Sequence, residues 1–261
     1  MPGTEIREVS RLEDRVRAAG DVKLIPYLMA GYPDRERSIA QGLAYARAGA
    51  AAIEVGIPFS DPLADGPAVQ RAGQMALECG MTVRGALEVA AAVAESGTPV
   101  VLMTYLNPVL AYDERRFAAA AAAAGVAGVI IPDLPAEEAE PHAGWLRSAG
   151  LDVVFMVAPT SPDSRIASIA ERSSGFVYCV TVKGVTGART ELARGLQHLL
   201  GRVRSATDLP VAAGFGISRP EHIRDLRGHA DAAVVASALL DLVQRGEDPV
   251  ALVAELLSAC R

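Results

Sequence analysis

The chain repeats one pattern eight times: a short apolar or β-branched run, a Gly, Pro, Asn or Asp, and then an alanine-rich segment with helical spacing. Strands that alternate with helices pair in parallel through right-handed crossovers. Several runs lack polar alternation, which is typical of strands covered on both faces. The predicted strands are 23–29, 52–55, 99–103, 128–131, 152–157, 175–180, 211–213 and 232–235.

Eight such units in 261 residues leave about 33 residues for each, the size of one unit of a (β/α)8 or TIM barrel. We therefore predict an α/β fold, with 1–261 as one barrel domain and an extra amphipathic helix before about residue 20 at the bottom of the barrel. A doubly wound open sheet is the alternative, but no G-x-G-x-x-G follows the first strand. The predicted helices are 35–48, 68–96, 113–124, 136–149, 163–173, 191–206, 220–226 and 248–260, with a short helix opening at Ala236-Ser237-Ala238.

The composition indicates a globular protein whose partners are neither nucleic acid nor an anionic membrane. Hydrophobic residues make up 51%, the net charge is −6, and no run of Lys or Arg occurs. The three cysteines form no CxxC pair, so we expect no disulfide framework and no metal site. The N-terminal segment lacks the apolar core of a targeting peptide, and no apolar stretch is long enough to span a bilayer. We expect a cytoplasmic protein.

An acidic residue lies inside the second predicted strand, close to its carboxyl end, where barrel enzymes place their chemistry. Burial of Glu54 would favour its protonated form, which suits a general acid and base. The alternative is a structural glutamate paired with an internal basic group. Asp61 and Asp65 follow in a loop rich in Pro and Gly, where aspartate also serves as a simple turn former.

The loops after the last two strands have the residues of a phosphate site. Gly214-Phe215-Gly216-Ile217-Ser218 follows the seventh strand, and Ala236-Ser237-Ala238 follows the eighth and opens a helix. Glycine allows backbone N–H groups to approach an anion, and a helix N-terminus adds partial positive charge. The same residues are also ordinary turn formers. The loop after the sixth strand, 181–189, contains two glycines and is either a closing loop or a plain surface loop.

The fourteen-residue block EVGIPFSDPLADGP, residues 54–67, closely resembles the signature of the tryptophan synthase α subunit family. Further matching motifs follow the family's order over nearly the whole chain: 27–34, 105–108, 132–135, 158–160, 184–189 and 214–218. The resemblance implies a lyase of tryptophan biosynthesis that cleaves indole-3-glycerol phosphate to indole and glyceraldehyde 3-phosphate.

The resemblance also implies a role for individual residues. Glu54 corresponds to the acid/base glutamate, Asp65 to the aspartate that engages the indole N–H, and Tyr178 to the tyrosine beside the glutamate. Thr186 corresponds to a loop threonine that hydrogen-bonds the aspartate when the loop shuts. The family's phosphate contacts match Gly187, Gly216, Ala236 and Ser237, and its apolar indole wall matches Tyr27, Met103, Ile130 and Phe215.

One departure from the family concerns the phosphate loop, where Ala236 replaces a common glycine. An alanine N–H serves equally well only if that position does not need positive φ. A second departure is Lys183, where many relatives carry Thr or Ser in the closing loop.

The family further implies a partner. A pyridoxal-phosphate β subunit docks on the catalytic rim and receives indole, in a complex of two α and two β chains, and this chain itself needs no cofactor. The rim residues that match are Asp61, Pro62, Asn107, Pro108 and Pro135. The alternatives are a stand-alone indole-producing lyase, an inactive regulatory partner of the β subunit, and an epimerase or isomerase of sugar phosphates on the same fold.

Overall fold

A computed structural model describes residues 9–17, 20–180, 189–214 and 216–261. All strands of these residues join one parallel sheet in the order β5-β4-β3-β2-β1-β9-β8-β7-β6. Their bounds are β1 (Lys23–Met29), β2 (Ile53–Gly56), β3 (Val100–Met103), β4 (Val126–Ile130), β5 (Asp152–Val154), β6 (Met156–Val157), β7 (Val177–Val180), β8 (Val211–Gly214) and β9 (Ala232–Val235).

The two edges of this sheet are consecutive in the chain, because only Phe155 separates β5 from β6. β5 pairs with β4, β6 pairs with β7, and the carbonyl of Phe155 accepts a hydrogen bond from the Tyr178 amide at 3.1 Å. The sheet therefore closes on itself, and β5 with β6 is the fifth strand of a (β/α)8 barrel. The barrel prediction is confirmed, the open-sheet alternative is wrong, and the fifth predicted strand is divided where its pairing changes sides.

The described helices are α1 (Arg11–Val16), α2 (Arg35–Ala48), α3 (Pro67–Glu78), α4 (Val83–Ala94), α5 (Leu106–Tyr112), α6 (Glu114–Ala123), α7 (Glu140–Ser148), α8 (Asp163–Arg172), α9 (Arg189–Arg204), α10 (Pro220–Arg224), α11 (Ser237–Gln244) and α12 (Pro249–Ser258), with a 3-10 turn at Ala136–Glu138. The single helix predicted over 68–96 is wrong. Gly80 breaks it with φ +81°, and the Thr82 hydroxyl then caps α4. Across these ranges, no helix combines the length and the apolar character needed to cross a membrane.

Side chains pack on both faces of the sheet. The outer face lies against the helices, and the inner face fills the barrel with alternate residues of each strand, as the two-residue period of a strand requires. Ala52 belongs to that inner cluster, so Glu54, two residues later, points inward as well. The buried members of the inner cluster are Leu12, Val16, Ile25, Ala52, Val101, Ile130, Val154, Phe176, Tyr178, Ala212, Ala232 and Val234.

The N-terminal helix α1 closes the bottom of the barrel, as predicted. Leu12 is fully buried in the inner cluster, with a methyl group against Gly128 and Gly175, where a larger residue would leave no room. The Ser10 hydroxyl accepts a hydrogen bond from the Glu13 amide and donates one to Asp152 at 2.5 Å. The cap of the helix is thus also its anchor to the fifth strand.

Candidate active site

A cavity of about 980 Å³ opens at the carboxyl ends of the strands. It collects residues from distant parts of the sequence because parallel strands all end at this face. Eight of the residues predicted for the site line it: Tyr27, Glu54, Asp65, Met103, Tyr178, Gly216, Ala236 and Ser237.

Glu54 is the most deeply buried ionisable group of the cavity, with 1% of its surface exposed. It opposes Tyr27 across β1 and β2. Its Oε2 atom is the one buried side-chain oxygen or nitrogen of the described residues without a hydrogen-bond partner. Burial, together with the smaller effect of the nearby charge of Asp65, raises the pKa of Glu54 to about 8. No described cation offsets this shift, so the structural alternative, a glutamate paired with an internal basic group, is not supported.

Asp65 lies in the loop between β2 and α3 and reaches the same cavity. Burial raises its pKa to about 6, while a hydrogen bond from the Tyr105 hydroxyl acts in the opposite direction. The pKa of Asp65 therefore stays below that of Glu54. Near neutral pH the site holds one protonated and one ionised carboxyl group, a pair suited to an acid and an electrostatic stabiliser.

Tyr105 fixes the position of the loop that carries Asp65, a role that the sequence motifs did not predict. Its hydroxyl accepts a hydrogen bond from the Ala64 amide at 3.0 Å, and its ring packs on Phe59 with 5.3 Å between centroids. The loop is thereby tied to the N-terminus of α5. Within the 105–108 motif, a tyrosine directly after the third strand was the available signal, but its partner lies forty-one positions earlier.

Two buried tyrosines form the walls beside Glu54. Tyr27 lies against Gly56, and Tyr178 lies against Gly214, where any Cβ would overlap the phenol. Burial raises the pKa of both hydroxyls well above the usual value, and the carboxyl groups of Glu54 and Asp65 add to that effect. Both tyrosines are therefore neutral donors and acceptors at any physiological pH.

The opposite end of the cavity is formed by the loop after β8 and by the start of α11. Gly216 has φ +43°, a conformation that favours glycine, while Ala236 has φ −120°, outside the left-handed region that favours glycine. The departure from glycine at position 236 is thus compatible with the backbone. Ala236 provides no side-chain cap, and the first turn of α11 contains no acid, so its amide groups face the cavity uncapped.

The remaining predicted residues are not brought to the cavity wall by the described part of the chain. Ile130 is completely buried in the inner cluster, beneath the cavity, and does not line it. Thr186, Gly187 and Phe215 lie outside the described residues, as does Lys183. Within the described ranges, no group of three or more His, Cys, Asp or Glu side chains is placed to hold a metal ion.

A (β/α)8 barrel with one buried carboxyl group, one partly buried carboxyl group and an uncapped helix N-terminus in one cavity has the equipment of an acid–base enzyme. Comparisons with known proteins show which family of enzymes this is. The sequence profile of the tryptophan synthase alpha chain family matches residues 14–261. A tryptophan synthase alpha chain from Roseiflexus castenholzii is 47% identical over 260 residues, covering 97% of this chain and 100% of the relative. One from Chloroflexus aurantiacus is 47% identical over 253 residues, covering 94% and 95%.

Solved structures agree. Tryptophan synthase from Mycobacterium tuberculosis superposes with a TM-score of 0.90 at 39% identity, covering 97% of this chain and 99% of the other. The tryptophan synthase a2b2 complex from Pyrococcus furiosus gives a TM-score of 0.85 at 39% identity, covering 92% and 99%. The chain belongs to the family of tryptophan synthase alpha chains. The resemblance of the sequence motifs and the lyase activity that it implies, cleavage of indole-3-glycerol phosphate, are confirmed.

Proposed function

We propose that Glu54 and Asp65 cleave indole-3-glycerol phosphate inside the barrel cavity. The protonated carboxyl group of Glu54 delivers its proton to C3 of the indole. The ring becomes a cationic indolenine, which the ionised Asp65 stabilises at its N1–H. The Glu54 carboxylate then removes the proton of the adjacent hydroxyl of the glycerol chain. The C–C bond breaks, its electron pair returns to the ring, and indole and glyceraldehyde 3-phosphate are formed with Glu54 protonated again.

The observation that carries this proposal is the state of Glu54. A carboxyl group with a pKa near 8, without a cation beside it, stores a proton at neutral pH and can give it up only inside the cavity. The test is indole release from indole-3-glycerol phosphate. A chain that folds and releases no indole, alone or with a β subunit, would leave the roles of both acids without support.

The remaining predicted residues complete the proposal. Tyr27 and Met103 form the indole wall, with Ile130 supporting it from below and Phe215 completing it by family position. Tyr178, beside Glu54, is by family position the third catalytic residue. The phosphate is held by backbone amides at Gly216, Ala236 and Ser237, and at Gly187 by family position. By family position Thr186 of the closing loop hydrogen-bonds Asp65. The steps are two proton transfers and the cleavage of one C–C bond whose electron pair the indole ring accepts, so we propose that this chain works without a cofactor.

Replacing Ser237 tests the phosphate end. Ser237→Asp places a negative charge at the start of α11, where the phosphate dianion would bind, so the affinities for the substrate and for glycerol 3-phosphate should fall at least about a hundredfold. The measurement is the inhibition constant of glycerol 3-phosphate. Ser237→Ala is the matched control, since it keeps the backbone amides and should change that constant little. Equal constants for the aspartate variant and the unaltered chain would exclude α11 as the phosphate site.

We further propose a β-subunit partner that binds the rim of the cavity. Leu63, beside the predicted rim residues Asp61 and Pro62, is 94% exposed, and Leu110 of α5, near Asn107 and Pro108, is 45% exposed. The docked β subunit would cover both of these apolar side chains. Pro135, at the end of the loop after β4, completes this rim. Handing indole to a partner prevents the loss of a neutral, membrane-permeable product.

The partner should speed the lyase reaction. Mixing this chain with its β subunit, the pyridoxal-phosphate enzyme of the pair, should raise the rate of indole formation at least about tenfold, because docking would order the loop that carries Asp65. Size-exclusion chromatography of the mixture should show a complex of two α and two β chains. We propose that this complex is cytoplasmic. A fast isolated chain that forms no complex would instead be a stand-alone lyase, and a chain that binds but stays inactive would be a regulatory subunit. An epimerase or isomerase would release no indole at all.

A further inference from the structure

A third acid, Asp241, lines the cavity at its phosphate end, on the same helix as Ser237. Asp241 follows Ser237 by four residues, so the two side chains lie on one face of α11. An aspartate there opposes the binding of a phosphate dianion. The fold must either tolerate that repulsion or neutralise the charge.

Arg71 of α3 neutralises it. Its Nη2 donates a hydrogen bond to the Asp241 carboxylate at 2.9 Å, and its Nε donates one to Gln244 Oε1 at 3.1 Å. The two contacts hold the guanidinium group in one orientation against α11. Asp241 and Arg71 are each nearly half exposed, so the pair is within reach of the solvent-filled mouth of the cavity.

The pair is not needed to hold the two helices together. Beneath it, α3 and α11 already pack through a buried apolar cluster that contains Tyr32, Val69, Ala72 and Leu240. A partly exposed ion pair contributes little to stability when such a cluster fixes the geometry. The burial-raised pKa of Tyr32 responds to both charges, which places that tyrosine beside them.

We infer that Arg71 sets the affinity of this enzyme for the phosphate end of its substrate by neutralising Asp241. The positive charge of Arg71 cancels the negative charge of Asp241 at the phosphate, and Arg71 does not itself contact the phosphate. The inference rests on the proposed phosphate site at α11 and adds a residue from a different helix to it. Because α3 begins directly after the loop of Asp65, one arginine links the acid loop to the phosphate helix.

The test is a double-mutant cycle read by the inhibition constant of glycerol 3-phosphate and by calorimetric binding of the same ligand, in the complex with the β subunit. Arg71→Met should weaken binding about fivefold at low ionic strength, the effect of one unit charge on a dianion about 8 Å away in a water-like dielectric. Asp241→Asn should strengthen binding by a similar factor. The double variant Arg71→Met/Asp241→Asn should bind within about twofold of the unaltered enzyme, and 0.5 M salt should shrink all differences.

The control is Arg35→Met, which breaks an ion pair with Glu88 of comparable exposure between α2 and α4, away from the cavity. It should leave the inhibition constant unchanged. If the double variant binds as weakly as Arg71→Met, the arginine contacts the phosphate directly and the inference is wrong. It is also wrong if Arg71→Met binds like the control. In either case the unaltered enzyme still releases indole. If the proposed function itself were wrong, the unaltered chain would release no indole, and Ser237→Asp would not weaken the binding of glycerol 3-phosphate.

Discussion

Glu54→Gln is expected to lower indole release by at least about a thousandfold while leaving the affinity for glycerol 3-phosphate unchanged. The amide keeps the shape of the side chain but neither delivers a proton to C3 nor takes one from the hydroxyl, so both proton steps fail together. The measurements are kcat with indole-3-glycerol phosphate and the inhibition constant of glycerol 3-phosphate. Residual activity near that of the unaltered chain would exclude Glu54 as the acid and base.

The same variant has a second readout in stability. The pKa of Glu54 is raised from 4.5 to about 8 by folding, so the folded protein must hold a proton that the unfolded chain releases above pH 4.5. The free energy of unfolding therefore falls as pH rises from 4.5 to 8 and levels off above. Glu54→Gln removes this pH dependence. As pH rises from 5 to 8, the free energy of unfolding of the variant should increase relative to that of the unaltered chain by on the order of a few kcal/mol. Parallel pH profiles of the two proteins would show that the pKa is not raised.

Asp65→Asn is expected to slow cleavage about a hundredfold to a thousandfold, because a neutral amide stabilises the indolenine cation far less than a carboxylate does. Substrate affinity should change much less than kcat. Tyr105→Phe is a milder variant for comparison. It keeps the carboxylate and removes the hydroxyl that donates to Asp65 and accepts from the Ala64 amide, so its loss of rate should be smaller. An Asp65→Asn enzyme as fast as Tyr105→Phe would argue against electrostatic stabilisation by this residue.

The two acids also fix a pH range for the reaction. Cleavage requires an ionised Asp65 and a protonated Glu54, so kcat/KM should rise through a pKa near 6 and fall through a pKa near 8. In Tyr105→Phe the loss of the hydrogen bond should move the lower limb to higher pH, because the hydroxyl favours the ionised form of Asp65. An unmoved lower limb would show that another group titrates there.

The sequence alone predicts the barrel because its signal is periodic. Each strand is an apolar run that ends at a loop, and the alternation of strands with helices leaves few topologies. Glu54 stands out for the same reason, as an acid within an apolar strand. The boundaries that were missed depend on local geometry: the interruption at Phe155 follows from a change of pairing partner, and the break at Gly80 from one left-handed residue inside an otherwise helical pattern.

The sequence did not predict the contacts between distant segments. Tyr105 hydrogen-bonds Asp65, forty positions earlier, and Arg71 hydrogen-bonds Asp241, 170 positions later. Separations of this length form no recognisable sequence motif. The helix α5 was missed because Asn107-Pro108 resembles a turn, although proline is also tolerated in the first turn of a helix. The family motifs marked which residues belong to the site but not which of them hold the others in place.

Helix α1, which closes the bottom of the barrel, contacts residues that are synthesised long after it. Leu12 contacts Gly128 beside the fifth strand and Gly175 before β7, and Ser10 binds Asp152 between them, so α1 spans the seam where the two edges of the sheet meet. During synthesis α1 therefore lacks part of its binding place until residue 175 has followed it. The strands β7, β8 and β9 follow residue 175, so α1 can dock before the ring of strands is complete.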